Sequence, residues 1–218
     1  MALTIYGVLR SRATRNVWLA KELGLAFEHV PVIQSYRLPD PQAADAPFNT
    51  ASPEFLKLNP NGRVPAIVDD GFVLYESLAI NLYLARKNGG PLAPRDGAED
   101  ALMEQWALWA ATEVEAQSLA ILTHRGPGPK HDPARAEAAA QALERPFTVL
   151  EGALSAGGGF LVGSRFTVAD LNTAEVLRYA QGDTALFGKF PAIAAWIAAC
   201  QSRAAFKEMM AEREKEPA

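Results

Sequence analysis

NPNGRVPAIVDDGFVLYESLAINLYLARK, residues 59–87, carries the pattern that decides the fold. Asn59-Pro60-Asn61-Gly62 is dense turn chemistry: asparagines hydrogen-bond their own backbone, proline presets φ, and glycine accepts positive φ. An apolar run from Val64 to Val68 follows, then Asp69-Asp70-Gly71, then a second run from Phe72 to Tyr75. Two short β-rich runs joined by an Asp/Gly turn predict a β-hairpin. Directly after it, Glu76-Ser77 opens a segment with Leu78, Asn81, Leu82 and Ala85 at helical spacing, ending near Gly89-Gly90.

Two features of this stretch bear on chemistry. Pro65 stands at the start of a strand, where it cannot donate a ladder hydrogen bond, so that edge of the sheet is open to another backbone. With a cis Val64–Pro65 bond, the N–H and C=O of Val64 would point outward and pair with an extended peptide as an added strand. Ser77 lies at a helix N-terminus, where unpaired N–H groups and the helix dipole favour a carboxylate. Glu76 beside it could hold an amine. Taken singly, Ser77 reads as an ordinary N-cap and Glu76 as a first-turn acid. Together, a backbone clamp, an anion seat and a cation seat suit a small zwitterionic peptide.

Upstream, Leu3 to Val8 is β-rich and runs into Leu9-Arg10-Ser11-Arg12-Ala13-Thr14. A helical pattern with Val17, Trp18, Leu19 and Leu23 comes next and is stopped by Gly24. Phe27 to Val32 is a second strand, and a β–α–β unit of this kind requires parallel strands with a right-handed crossover. Residues 34–49 hold three prolines and little periodicity, which predicts a loop. Ser52-Pro53 then starts a short helix through Leu58. The order β-α-β-(α)-β-β-α describes a thioredoxin-like unit with a mixed sheet.

Gly89 to Gly97, GGPLAPRDG, breaks the composition and marks a domain boundary. Beyond it everything reads as helix. A long helix is expected from Glu99 to Thr123, and a second from near Ala134, with a kink or break at Pro146. Phe166-Thr167-Val168-Ala169-Asp170-Leu171 predicts a capped helix start, with Thr167 and Asp170 as a capping box and Phe166 stapling onto Leu171. A last helix follows Pro191, and the charged end at 212–216 reads as a frayed, solvated terminus. The expected fold class is α/β plus all-α: a thioredoxin-like domain over residues 1–87, a linker at 88–97, and a helical bundle domain over 98–218.

Bulk properties narrow the field without naming a function. The 218 residues are 49% hydrophobic and 21% charged, ordinary for a globular protein with ample core. A net charge of −4 gives no reason to expect nucleic acid or an anionic membrane as partner. No apolar run approaches the ~18 residues of a membrane span. Met1 stands almost directly on the first strand, so no leader is expected. The single cysteine, Cys200, excludes a disulfide framework and fits a reducing cytoplasm. His124 and His131 flank a Pro/Gly loop without further ligands at metal spacing, so no metal is expected.

The run NPNGRVPAIVDDGFVLYES resembles the glutathione-binding signature of the cytosolic glutathione S-transferases, and Leu9-Arg10-Ser11-Arg12-Ala13-Thr14-Arg15 is similar to the serine-type, theta-like pattern of that family. The Thr167/Asp170 phrase resembles the buried capping box of the family's helical domain, a structural feature. The resemblance implies a glutathione transferase, with glutathione as co-substrate and a small hydrophobic electrophile as second substrate. It further implies a cytoplasmic homodimer. Ser11 is then the catalytic hydroxyl that stabilises the glutathione thiolate, with Thr14 as the alternative donor; apart from the resemblance, either would be a helix cap. Val64 would pair with the cysteinyl backbone and Pro65 would be its cis partner. Glu76 and Ser77 would take the γ-glutamyl amine and carboxylate. Thr50 and Arg63 would serve the glycyl end, and Arg15, otherwise a surface residue, could add positive potential near the sulfur. The Ser-Ser-Cys phrase of zeta-type isomerases is absent, and no cysteine lies near the site. Two other readings stay open: a non-catalytic binding or assembly module of the same fold, and a glutathione-dependent isomerase.

Overall fold

The computed structural model describes residues 2–216. The chain divides into two compact units. One takes in the chain up to Asn88 together with the stretch from Ala204 onward; the other runs from Gly89 to Arg203.

In the first unit, β1 (Leu3–Tyr6), β2 (Phe27–Val30), β3 (Ala66–Asp69) and β4 (Phe72–Tyr75) form one sheet in the order β2-β1-β3-β4. β1 and β2 run parallel, with Leu3 opposite Phe27, across the crossover helix α1 (Ala13–Glu22). β3 is antiparallel to β1, and β4 to β3, with Ala66 opposite Tyr75 around the Asp70-Gly71 turn. That turn puts Asp70 at φ 50° and Gly71 at φ 86°, the left-handed pair a two-residue hairpin demands. The expected mixed sheet and hairpin are therefore present, with β3 beginning at Ala66 rather than Val64.

α1 and α3 (Ser77–Asn88) pack on this sheet with Val17, Leu19, Ile80 and Leu84 buried. Between β2 and β3 lies the expected loop, closed by α2 (Pro53–Leu58), whose Phe55 is fully buried. The Asn59 turn closes on itself: its amide donates to the Arg63 carbonyl (2.7 Å) and its side-chain oxygen accepts the Asn61 N–H (3.1 Å). The last helix of the chain, α10 (Ala204–Lys215), belongs to this first unit and lies along α1. Phe206 meets Trp18 edge-on at 4.9 Å between ring centroids, and Lys21 donates to Glu208 (2.6 Å) and Glu212 (2.9 Å).

The second unit is helical: α4 (Gly97–Trp109), α5 (Glu115–Arg125), α6 (Pro133–Ala156), α7 (Val168–Leu177), α8 (Thr184–Gly188) and α9 (Pro191–Gln201). The long helix expected over residues 99–123 is present as one continuous helical stretch, α4 and α5, with a π-helical segment at Ala110–Val114 between them. α6 continues as one helix through Pro146, so the expected break is absent. Leu143, Phe147 and Leu150 are buried on either side of the proline, and that burial outweighs the one backbone hydrogen bond proline removes. The Thr167/Asp170 capping box is formed, and α7 is buried along its whole length.

Candidate functional site

The turn between β1 and α1 is shaped by Gly7. Its φ of +139° is one that L side chains avoid, and a Cβ there would stand 3.0 Å from the Cβ of Val64 and 3.1 Å from that of Ala13. Glycine at this position thus lets the start of α1 and the residue before Pro65 approach one another. The Val64–Pro65 bond is cis. Val64 is half-buried and precedes the β3 ladder, which begins two residues on at Ala66.

Ser11 sits in the turn leading into α1, half-buried. Its hydroxyl donates to the Val8 carbonyl (2.6 Å) and accepts the Ala13 N–H (3.1 Å), which ties it to the first turn of the helix. Thr14, the alternative donor, is fully buried and its hydroxyl is turned back to the Ser11 carbonyl (3.1 Å). A hydroxyl at the rim of the turn is better placed to reach a ligand than one closed inside it.

Ser77 opens α3 and is buried at 4% exposure, because α3 meets α1 there. Its hydroxyl oxygen accepts from Nη1 of Arg15 (3.0 Å), and its carbonyl accepts from the Asn16 amide (2.9 Å). Asn16 also donates to the Asn81 side chain (2.7 Å), which in turn donates to the Arg15 carbonyl (3.2 Å). Arg15 is therefore an interior residue at 1% exposure and not the surface group expected. Its spacing from Val17 and Trp18 gave no sign of this; the buried amides of Asn16 and Asn81 were likewise missed. The guanidinium donates into Ser77 Oγ, so the serine's own proton is available to another acceptor.

Glu76 precedes Ser77 with φ 72° and is exposed, its side chain free of the strand ladder. Arg63 is exposed beside Val64. Thr50 is buried at 5% exposure, its hydroxyl accepting the Ser35 N–H (3.0 Å) and donating to Ser35 Oγ (3.1 Å), so it shapes the loop and presents no free hydroxyl. The geometry thus joins Val64 with the turn of Ser11, and Ser77 with Arg15. It does not join Thr50 to either pair through any hydrogen bond among the described residues. Those residues contain no group of three or more His, Cys, Asp or Glu that could hold a metal ion, and no helix long and apolar enough to cross a membrane.

A thioredoxin-like unit with a cis-proline before β3, followed in the chain by an all-helical unit, is the arrangement of the glutathione-transferase fold. Comparison with known proteins agrees. Residues 1–86 match the model of the glutathione S-transferase N-terminal domain, and residues 110–204 that of its C-terminal domain. Glutathione S-transferase 3 of Zea mays is 32% identical over 228 aligned residues, covering 96% of this chain and 93% of the maize protein. A probable elongation factor 1-gamma of Arabidopsis thaliana is 41% identical over 124 residues, 56% of this chain and only 30% of that factor. Among solved structures, a glutathione transferase of Phanerochaete chrysosporium in complex with oxidized glutathione superposes with a TM-score of 0.80 at 27% identity, covering 98% of this chain and 96% of that one. The chain belongs to the glutathione S-transferase family of enzymes.

Proposed function

We propose that the protein is a glutathione transferase in which Ser11 stabilises the glutathione thiolate for attack on a small hydrophobic electrophile. The observation that carries the reading is the convergence around Gly7, which draws the Ser11 turn and Val64 together. An extended tripeptide paired with Val64 would lie beside that turn. Its γ-glutamyl carboxylate would take the proton of Ser77 Oγ, which Arg15 orients, and Glu76 would take the amine. Pro65 shapes the clamp, and Arg63 and Thr50 remain the proposed supports of the glycyl end, Arg63 through its charge and Thr50 through its loop.

The chemistry needs little else. A free thiol has a pKa of about 8.5, so only a few per cent is ionised at neutral pH. Lowering it by about two units requires roughly 2.7 kcal/mol. A hydroxyl bonded to the sulfur at a helix start can supply a large part of this. To do so Ser11 must turn its proton from the Val8 carbonyl to the sulfur, exchanging a neutral hydrogen bond for a charge-assisted one. The bond it accepts from the Ala13 N–H is unaffected by that rotation. Glutathione is a co-substrate in this scheme, and no metal takes part. We further propose a homodimer in the cytoplasm.

The test is the thiolate absorbance of bound glutathione across pH. Wild type should show a thiol pKa well below that of free glutathione, and Ser11→Ala a value raised by about one unit. An unshifted thiol in wild type would sink the enzymatic reading. The likeness to elongation factor 1-gamma favours a second one, a binding or assembly module. That module would bind partners without ionising the thiol, so the same measurement separates the two.

A further inference from the structure

The turn that carries Ser11 is held from the far end of the chain. The Glu216 carboxylate accepts the backbone N–H groups of Leu9 (2.8 Å) and Arg10 (3.1 Å), one on each oxygen. Arg10 Nε in turn donates to the Glu216 carbonyl (3.1 Å). These three contacts join positions more than 200 residues apart in sequence, |i−j| = 207 and 206. The tail is delivered there by α10, itself fixed to α1 through Phe206 on Trp18 and through Lys21 between Glu208 and Glu212. The stretch 212–216, expected to be frayed and solvated, is accordingly helical to Lys215 and pinned at Glu216, with Glu214 and Lys215 exposed.

We infer that Glu216 is a positioning residue for Ser11, a role that deepens the proposed function and rests on it. Leu9 and Arg10 follow Val8, whose carbonyl receives the Ser11 proton, and precede Ser11 itself. Their two N–H groups lie outside both β1 and α1, so no ladder or helix holds them in place. A carboxylate bridging consecutive N–H groups fixes the peptide planes on both sides of Leu9 and hence where the next turn places its hydroxyl. Charge-assisted bonds of this kind are among the stronger ones available to a loop. Without the bridge the turn would sample other geometries, and hydroxyl-to-sulfur alignment would be lost more readily than tripeptide binding. Binding is carried by Val64, Glu76 and Ser77, none of which touches the tail.

The experiment compares wild type, Glu216→Ala, the gentler Glu216→Gln and Ser11→Ala, with Glu214→Ala as a control that removes an exposed carboxylate of the same tail outside the brace. Hydrogen exchange over residues 8–12 reads the brace directly. The thiol pKa and turnover read its effect on Ser11, and the Kd for glutathione reads the peptide site. Glu216→Ala is expected to speed exchange at Leu9 and Arg10 by about tenfold. It should lower turnover by about tenfold and raise the thiol pKa toward that of Ser11→Ala, while the glutathione Kd stays within about twofold. Glu216→Gln, which keeps one acceptor oxygen, should fall between, and Glu214→Ala should match wild type. Unchanged exchange in Glu216→Ala overturns the inference. So does faster exchange with the thiol pKa and turnover untouched, where Ser11→Ala alters both. A Ser11→Ala protein indistinguishable from wild type, with exchange still faster in Glu216→Ala, condemns the assignment of Ser11 and leaves the brace on the turn standing.

Discussion

Replacing Asp170 by alanine should cost the helical unit about 3–5 kcal/mol of stability. The carboxylate is fully buried and gathers four donors on its two oxygens. One oxygen accepts the Leu161 N–H (3.0 Å) and Trp196 Nε1 (3.0 Å). The other accepts the Thr167 N–H (2.9 Å) and the Thr167 hydroxyl (3.0 Å). Alanine leaves the two backbone N–H groups and the indole N–H without an acceptor, while the hydroxyl can rotate away. Each orphaned buried donor costs ~1–3 kcal/mol. Against this stands the burial of the carboxylate, which pushes its pKa above the usual 3.8 despite those four bonds and is relieved in the variant. The net expectation is a loss of about 3–5 kcal/mol, a fall in Tm of roughly 10 °C for a chain of this size. Urea unfolding followed by tryptophan fluorescence measures it directly, because Trp196 reports on the same cluster. Asp170→Asn should also be poor, since its amide would turn a donor toward donors. A loss below about 1 kcal/mol at unchanged m-value would mean the network is not what holds the start of α7.

Other outcomes follow from the same kind of reasoning. Gly7→Ala puts a Cβ 3.0 Å from that of Val64 at a φ of +139°. It should destabilise by about 1–3 kcal/mol and weaken glutathione binding, read by thermal unfolding and calorimetry. Ser77→Ala removes the hydroxyl that Arg15 orients and should weaken glutathione about tenfold, a loss of ~1.4 kcal/mol; an unchanged Kd would detach Ser77 from the peptide site. Arg165→Met should shift acid unfolding. Arg165 hydrogen-bonds hold the Glu99 carboxyl down at about 2 from an ordinary 4.5, against the opposing effect of burial. The pair's contribution is therefore present above pH 4.5 and lost as pH falls toward 2. The variant should unfold at higher pH in an acid titration, and lose about 1 kcal/mol at neutral pH, partly because the Pro91 and Ala93 carbonyls also lose their donor.

How much of this could be read from residue order depends on the range of the forces involved. The hairpin and the α7 capping box were legible because their determinants are local: Asp70-Gly71 supplies two positive φ values, and Thr167 and Asp170 face each other three residues apart. The cis bond before Pro65 and the place of Ser77 at the start of α3 were legible for the same reason. The π-turn at Ala110–Val114 was not. Its residues, Ala-Ala-Thr-Glu-Val, contain no proline or glycine, so no local signal marks the widening of the helix. Pro146 misled as to a break, since that rule assumes a helix resting on its own hydrogen bonds, whereas α6 has a buried face on either side of the proline.

Arg15 is the most instructive miss. An arginine among Thr14, Asn16 and Val17 reads as solvated by any local rule, and burying it requires polar partners from elsewhere. Those partners come from α3, 62 residues later in the case of Ser77. The network is self-consistent only when both helices are present: Asn16 braces the Ser77 carbonyl, and Asn81 braces the carbonyl of Arg15. The same holds for Glu216, one of many charged residues at the end of α10 until the turn it meets is in view. Local sequence thus identified the hydroxyls at the two proposed contact points, Ser11 and Ser77. What aims each of them is a charged residue from a distant segment or a neighbouring helix, Glu216 for the first and Arg15 for the second. Substitutions at Arg15 and Glu216 should on that account separate from one another. Loss of Arg15 should act on glutathione affinity through Ser77, and loss of Glu216 on thiol ionisation through Ser11. A double variant should then show the two effects adding, since each acts through a different hydroxyl.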